Sequence, residues 1–380
     1  MNKTERGSAR RSGLPGAVVV SSLALAGAVL FPAGNAWAEG SWEFYARLNV
    51  STDYLNDGED GALNFSSNSS RVGLRGRRDL QPQFGLIWQV EQTVDVDIRG
   101  GQWATRNTYL GVRGDAWGDA RLGHHDTPVK RISRNTDLFG EMIGDSRNLL
   151  RTDSADGEYD RVLGWDERFR NSLLYTSPSM AGFQAAVQYS TDQRNEGTTN
   201  TSDHTAWSGS LTYAAGPLWL GVGHEGYGRK FGSDPEDSAN DTLAGEAAPS
   251  VTRLGARYRA DGLTLTALYQ QAKNQRGVKD ADRDVWGVGA GYDVAAAWTV
   301  KAQYYAADSE DGTDDTGATM VVVGFDYRVA PDTLVYGSVA RADNDDNAAF
   351  VVSHGGRNAD VPAVTGEDPW GVGVGLRYAF

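Results

Sequence analysis

Apolar and polar residues alternate with a period of two along most of this chain. Successive side chains of a β-strand point to opposite faces, whereas an amphipathic helix needs apolar residues three and four positions apart. No long amphipathic helix pattern follows the first 38 residues. The pattern therefore predicts an all-β fold whose strands have one apolar and one polar face. At the C-terminus the apolar face would consist of Trp370, Val372, Val374, Leu376, Tyr378 and Phe380.

Sixteen such segments can be counted, and short turns alternate with long polar connections between them. The long connections cover residues 53–69, 93–106, 124–168, 191–204, 227–250, 272–283, 307–317 and 342–369. The segments begin near Ser41, Arg71, Phe84, Asn107, Asp119, Arg170, Gly182, Thr205, Leu218, Val251, Leu263, Asp284, Trp298, Ala318, Thr333 and Trp370. Long loops on one rim and short turns on the other are typical of transmembrane barrels.

A closed barrel also pairs every backbone group, which a lipid environment requires. We therefore predict a 16-stranded antiparallel transmembrane β-barrel. The alternative is a secreted β-sandwich or adhesin, which would not explain why the connection lengths alternate.

The first 38 residues have the features of a secretory signal peptide. Lys3, Arg6, Arg10 and Arg11 form a basic start, residues 16–31 are apolar, and Ala36 and Ala38 fit a cleavage site before Glu39. A short membrane anchor is the alternative, but the apolar run is shorter than the ~20 residues of a spanning helix. We expect a signal peptide at 1–38 and a barrel domain at 39–380.

The charge and the motifs exclude several classes of function. With 50 acidic against 36 basic residues the net charge is −14, and removing the signal peptide's four basic and one acidic residue makes it −17. Nucleic acids bind basic faces, so we expect no nucleic-acid partner. The chain has no cysteine, and its five histidines lack a metal-binding spacing. The G-x-G-x-x-G at 221–226 has no helix after it, as a dinucleotide site requires. We therefore expect no metal, no cofactor and no enzyme activity.

Several motifs resemble those of the general diffusion porins of Gram-negative outer membranes. They are SRVGLRG at 70–76, TRNTYLGVRGDAWGDARLGHHDTP at 105–128, RFRNSLLYTSP at 168–178, and the terminal Tyr378-Ala379-Phe380. The resemblance implies a trimer of 16-stranded barrels, with the long third loop 124–168 folded into each pore. It also implies that Tyr378 and Phe380 form the aromatic signal read by the barrel-assembly machinery.

In such porins basic residues of the wall face acidic residues of the third loop. The resemblance implies Arg47, Arg71 and Arg170 for the basic side, and Arg75 and Arg168 share the inward parity. Each could instead be an ordinary residue of a solvated interior. His124 stands where the family usually has arginine, and histidine is mostly neutral at pH 7. The family's loop motif is missing, and the candidate acidic residues are Asp137, Glu141 and Asp145.

The resemblance implies an outer-membrane channel for the passive diffusion of small hydrophilic solutes and ions. Opposed charges across a narrow lumen create a transverse field, and rings of charge set ion preference. The net negative charge and the acidic long loops predict a mild cation preference. A solute-specific channel is the alternative, and an adhesin or anchor with a plugged barrel is a third possibility. Expected partners are outer-membrane lipid, lipopolysaccharide bridged by divalent ions, and further copies of the chain.

Overall fold

The computed structural model describes residues 40–97, 103–151, 165–191, 204–229, 246–357 and 361–380. The expected signal peptide and its cleavage site lie outside these ranges. Apart from two short helices and one 3-10 turn, the regular elements of the described residues are β-strands. Neither helix has the length and apolar character needed to cross a membrane.

The described residues form seventeen β-strands. In chain order the elements are β1 (Gly40–Asn56), β2 (Gly61–Ser67), β3 (Arg71–Gln81), β4 (Phe84–Thr93), β5 (Thr108–Gly114), β6 (Gly118–Asp126), α1 (Pro128–Thr136), α2 (Arg147–Leu150), β7 (Arg168–Thr176), β8 (Phe183–Ser190), β9 (Ala206–Ala215), β10 (Leu218–Tyr227), β11 (Ser250–Ala260), β12 (Leu263–Lys273), a 3-10 turn (Gln275–Gly277), β13 (Arg283–Ala295), β14 (Trp298–Ala307), β15 (Ala318–Ala330), β16 (Thr333–Asn344) and β17 (Trp370–Ala379).

The strands close into a sixteen-stranded antiparallel barrel. β2 and β3 both pair with β1, one after the other, and are two halves of a single wall strand. The break between them is at residues 68–70, where Ser69 has a φ of 53°. Every later strand pairs with its neighbour in sequence, and β17 pairs with β1 to complete the wall. The predicted fold is confirmed.

Fifteen of the sixteen wall strands begin within two residues of the predicted positions, and the connections that follow them alternate in length as expected. The second wall strand begins at Gly61 and not near Arg71. One expectation is wrong, because 53–69 is not a long polar loop. β1 continues to Asn56 and β2 starts at Gly61. Polar side chains such as Asp53 face inward here, while Leu63 and Phe65 are exposed on the other face. The polar composition thus belongs to the inner face of a continuing strand.

The two faces of the wall differ as the alternation predicts. Val300, Leu265 and Val374 are exposed, as are the other apolar side chains of their parity. Gly371 and Gly373, on the opposite parity, lie against Ile143 of the third long connection. The apolar parity therefore forms the outer surface.

Long connections supply much of the buried apolar core. Phe139, Ile143 and Leu149 of the third connection cluster with Phe350 and Val352 of the last one and with side chains of β12–β16. Apolar burial therefore occurs between the wall and these connections. No second stacked sheet is present among the described residues.

Candidate pore constriction

The third long connection begins with a capped helix. Thr127 is the N-cap, and its side-chain oxygen accepts a 3.2 Å hydrogen bond from Lys130 N. Pro128 occupies the start of the helix, where no backbone donor is needed. These residues fix the direction in which the chain leaves β6. We call residues 127–151 the third-connection segment.

Two glycines allow α1 to approach the wall closely. A methyl group at Gly223 of β10 would lie 2.8 Å from Ile132 Cδ1, and one at Gly255 of β11 would lie 2.7 Å from Ile132 Cγ2. Any larger residue would therefore displace the helix. Both glycines belong to the parity opposite the exposed apolar residues, so α1 packs against the inner face.

A fully buried arginine fastens α1 to β11. Arg253 donates from Nη1 to Ser133 Oγ at 3.0 Å and from Nη2 to Trp165 O at 2.8 Å. Its Nε donates to Gln270 Oε1 on β12 at 3.0 Å. One side chain therefore holds both the helix and the end of the connection. These hydrogen bonds are strongly favoured, because a buried guanidinium without partners would be costly.

Glu141 of the segment meets two of the predicted basic residues. It forms an ion pair with Arg47 of β1, and its Oε1 lies 3.5 Å from Arg71 Nη1 of β3. Burial by itself would raise the pKa of Glu141, but Arg47 and Arg71 lower it to about 2. Glu91 joins the same network, 3.7 Å from Arg71 and 2.7 Å from Arg106.

The other two predicted acidic residues do not meet these arginines. Asp137 accepts hydrogen bonds from Phe139 N at 2.8 Å and from Ser146 N and Oγ. Asp145 accepts from Glu141 N at 2.6 Å and pairs with Arg147. Both carboxylates thus order turns within the segment. Burial and the neighbouring Asp145 raise the pKa of Asp137 to about 7.

The remaining predicted basic residues lie away from Glu141. Arg75 pairs with Glu43, and Arg168 Nη2 lies 2.9 Å from Asp126 Oδ1. His124 and Arg170 sit at a bulge between β6 and β7, where the register shifts between Gly123 and His125. The expectation that Arg170 lies on the inward parity is wrong. The bulge makes Phe169 the buried residue and leaves Arg170 exposed, and no described contact joins it to the three candidate carboxylates.

A model of the Gram-negative porin family matches residues 21–347 of the chain. The chain belongs to the Gram-negative porins. The family and the barrel place the protein in the outer membrane, as the sequence predicted. Its relatives are channels.

Two curated relatives and two solved structures show how similar this porin is to others. Outer membrane porin protein 32 of Delftia acidovorans is 26% identical over 93% of this chain and 98% of its own. Major outer membrane protein P.IB of Neisseria sicca is 31% identical over 38% of each chain. The anion-selective porin from Comamonas acidovorans has a TM-score of 0.75 at 24% identity, covering 90% of this chain and 100% of its own. OmpF of Salmonella typhi has a TM-score of 0.64 at 15% identity, covering 89% and 97%.

Three basic residues near Glu141 in this porin were not among those predicted from the sequence. Lys301 of β14 lies 2.8 Å from Asp326 Oδ1 and donates to Leu138 O at 2.9 Å. Arg134 is exposed on the last turn of α1, and Arg377 of β17 is part of the same region. Strand parity could have found Lys301 and Arg377, since both alternate with apolar residues. These residues help to line a cavity of about 240 Å³ with Arg47 and Glu141.

Arg377 is the least satisfied of the three. Its Nε and Nη2 are buried without a hydrogen-bond partner among the described residues. The guanidinium carbon lies 5.7 Å from the ring centre of Tyr336. Neither Arg377 nor Arg134 forms an ion pair with a described residue. The cavity lining as a whole carries five basic side chains and five acidic ones, so Arg134 and Arg377 are unpaired cations in a lining of balanced formal charge.

The C-terminal aromatic residues lie on the outer surface where β17 meets β1. The rings of Tyr378 and Phe380 are 5.2 Å apart, and Phe380 is 6.1 Å from Phe44. Phe380 N donates to Ala46 O at 3.0 Å, and Ala46 N donates back at 2.8 Å. The last residue is thus part of the seam that closes the wall.

Within the described ranges, no three histidine or carboxylate side chains are grouped so that they could hold a metal ion. His124 and His125 are both at least partly buried, and the ring of His125 lies 5.0 Å from that of Tyr109.

Proposed function

We propose that this porin passes small hydrophilic solutes and ions by passive diffusion through a lumen narrowed by the third-connection segment. The observation that supports this most is the set of contacts around the segment. Arg47 of β1, Arg253 of β11 and Lys301 of β14 all reach it. These strands are far apart around a closed wall, which supports a position of the segment inside it.

The proposed constriction has a charge pattern that can order solutes. Arg47 and Arg71 on the wall face Glu141 on the segment. Fixed charges in a narrow space with low-dielectric walls focus the local field. A dipolar solute would be oriented by this field, whereas an apolar one would have to displace ordered water.

The mild cation preference expected from the net charge finds little support at this site. The cavity lining carries equal numbers of basic and acidic side chains. Asp137, with a pKa of about 7, is partly protonated near neutral pH, and Arg134 and Arg377 have no ion-paired carboxylate among the described residues. Because the narrowest part of a pore dominates ion preference, we infer that anions are favoured there. The anion-selective porin from Comamonas acidovorans shares this fold, but the preference proposed for this chain comes from its own Arg134 and Arg377.

A reversal potential in a salt gradient across a planar bilayer tests both parts of the proposal. We expect channels with an anion preference, and we expect the double variant R134A/R377A to lose it. R75A is the matched control, because Arg75 is also on the inward parity but lies away from the segment. A cation preference in the wild type would restore the original expectation. Absence of channels would contradict the function itself.

A solute-specific channel remains a second candidate because the inner wall carries ordered aromatic residues. Tyr109 OH donates to Gln89 at 3.3 Å, and Gln89 donates to Tyr45 OH at 3.0 Å. Arg75 and Arg121 lie 5.1 Å and 4.9 Å from the ring centres of Tyr45 and Tyr109. Such rings and donors bind specific solutes. Liposome swelling that depended on solute identity at equal size would favour this candidate over general diffusion.

We also propose the partners and processing that the sequence predicts. These are cleavage near Ala38-Glu39, assembly as a homotrimer, recognition of Tyr378 and Phe380 by the barrel-assembly machinery, and divalent bridges from acidic loops to lipopolysaccharide. N-terminal sequencing of the outer-membrane protein tests the cleavage site. Electrophoresis with and without a chelator tests the homotrimer and the divalent bridges.

A further inference from the structure

The last long connection also packs inside the proposed pore. Phe350 and Val352 are almost fully buried and belong to the same cluster as Phe139 and Ile143. Gly144 N donates to Val352 O at 2.7 Å. We call residues 345–357 the last-connection segment. It therefore rests directly on the third-connection segment.

An ion pair with almost no solvent exposure ends this segment. Arg357 pairs with Asp53 of β1, and their side chains are 0% and 1% exposed. Ser51 Oγ donates to Asp53 Oδ2 at 2.7 Å and lies 3.5 Å from Arg357 Nη1. Breaking a buried pair by removing one partner is strongly unfavourable, because it leaves a lone buried charge.

Hydrogen bonds of the two residues before Arg357 fasten the last-connection segment to its neighbours. Arg147 Nη2 donates to Gly355 O at 2.9 Å, and Gly355 N donates to Asn148 Oδ1 at 2.9 Å. Ser69 Oγ, at the break between β2 and β3, donates to Gly356 O at 2.9 Å. The last-connection segment thus bridges β1, the broken wall strand and the third-connection segment.

We propose that Arg357 is a positioning residue that holds the last-connection segment in the pore, where this segment supports the third-connection segment and so limits solute size. The inference rests on the proposed channel function. Its physical basis is that Arg357 is stable only beside Asp53. The last-connection segment is therefore either docked with the pair intact or displaced with both charges in water. Displacement would widen the lumen and remove a support of the third-connection segment.

The test compares R357M with R341M in planar bilayers and in liposomes. Arg341 pairs with Asp343 and Asp368 at the ends of the same connection, but its side chain is 57% exposed, so this pair should matter little. We expect R357M to raise single-channel conductance by about twofold or more, as expected for a wider pore, and to admit larger sugars in swelling assays. R341M should match the wild type. A folded R357M with wild-type conductance and size limit would overturn the inference.

Two further variants keep the test decisive if R357M does not fold. D53N/R357M removes both charges together, so it avoids the lone buried charge and should fold and conduct like the wild type. N148A removes only the neutral hydrogen bond to Gly355 and should produce more frequent brief openings to a larger conductance. Unchanged traces from N148A would then overturn the inference. If the wild type forms no channels, the proposed function fails, which is a separate result.

Discussion

Arg253 of β11 and Ser133 of α1 are joined by a 3.0 Å hydrogen bond in the buried interior of the barrel. The same guanidinium reaches Trp165 O and Gln270. A surface helix could pack against a wall through apolar contacts alone. Here a charged side chain has been buried to fix the helix at one place, which indicates that the position of α1 matters.

Replacing Arg253 should destabilise the barrel. R253M removes the hydrogen bonds to the Trp165 carbonyl and the Gln270 side chain and leaves both acceptors without that donor. We therefore expect the free energy of unfolding to fall by about 2 kcal/mol or more. Urea unfolding followed by electrophoretic mobility measures this. R257M is the control, since Arg257 also contacts α1, at Asn135 Oδ1 with 3.2 Å, but is only partly buried. Equal losses in both variants would contradict a special role for Arg253.

Removing the charge of Glu141 should increase the anion preference. E141Q frees Arg47 and Arg71 from their carboxylate, which adds one net positive charge at the constriction. We expect the anion-to-cation permeability ratio to rise by about twofold, as a focused field implies. The control is E43Q, whose carboxylate pairs with Arg75 away from the segment. A larger shift in E43Q than in E141Q would place the constriction elsewhere.

Ion preference should depend on pH through Asp137. Its pKa of about 7 lies above the ordinary 3.8, so the carboxyl is neutral in mildly acidic solution and ionises as the pH rises through 7. The added negative charge lies near Asp145, Lys301 and Tyr305. We therefore expect the anion preference to fall between pH 6 and 8, roughly one unit either side of that pKa.

The raised pKa of Asp137 also makes the stability of the folded protein depend on pH. The folded state keeps the proton of Asp137 to a higher pH than the unfolded state does, so the stabilisation from neutral Asp137 is complete below about pH 4 and is lost as the pH rises through 7.

Two variants test whether Asp137 causes the predicted change in ion preference. D137N should abolish the pH step in reversal potential. E141Q should keep it, because the pKa of Glu141 is about 2. A step that survives D137N belongs to another group.

Truncating the terminal aromatic residue should weaken barrel closure. F380A loses ring contacts with Phe44 and Tyr378, for which we expect a loss of about 1 kcal/mol in unfolding and less folded protein in the outer membrane. Y292A removes a similarly exposed aromatic residue of β13, 51% against 56%, and is the control. If both variants assemble equally well, Phe380 is not a specific signal.

The local pattern alone predicted the wall. Period-two alternation located all sixteen wall strands, because the face of each side chain follows from its position in a strand. The alternation of inward and outward side chains is interrupted at two places by irregular backbone. One is residues 68–70, where one wall strand is divided into β2 and β3. The other is the bulge opposite His124, which turns Arg170 away from the inner face.

The resemblance implied that Arg47 and Arg71 would face acidic residues of the third loop, but not which of Asp137, Glu141 and Asp145 would meet them. In the sequence nothing distinguishes Asp137, Glu141 and Asp145 from one another, because all three are acidic residues of the same connection. Which of them points to the wall depends on the turns of the segment, where Glu141 has a φ of 67°. The amino-acid pattern cannot specify such a turn without the surfaces it packs against.

The sequence by itself determined the barrel, its strand number, its outer apolar surface and its family, because these follow from local periodicity and short motifs. Only the tertiary structure decided which charges face each other, that Lys301 and Arg377 line a cavity with Arg47 and Glu141, and that Arg357 pairs with Asp53. These contacts join residues up to about 300 positions apart. Their partners depend on how long connections fold inside a closed wall, and the energy of a buried charge depends on its neighbours in space.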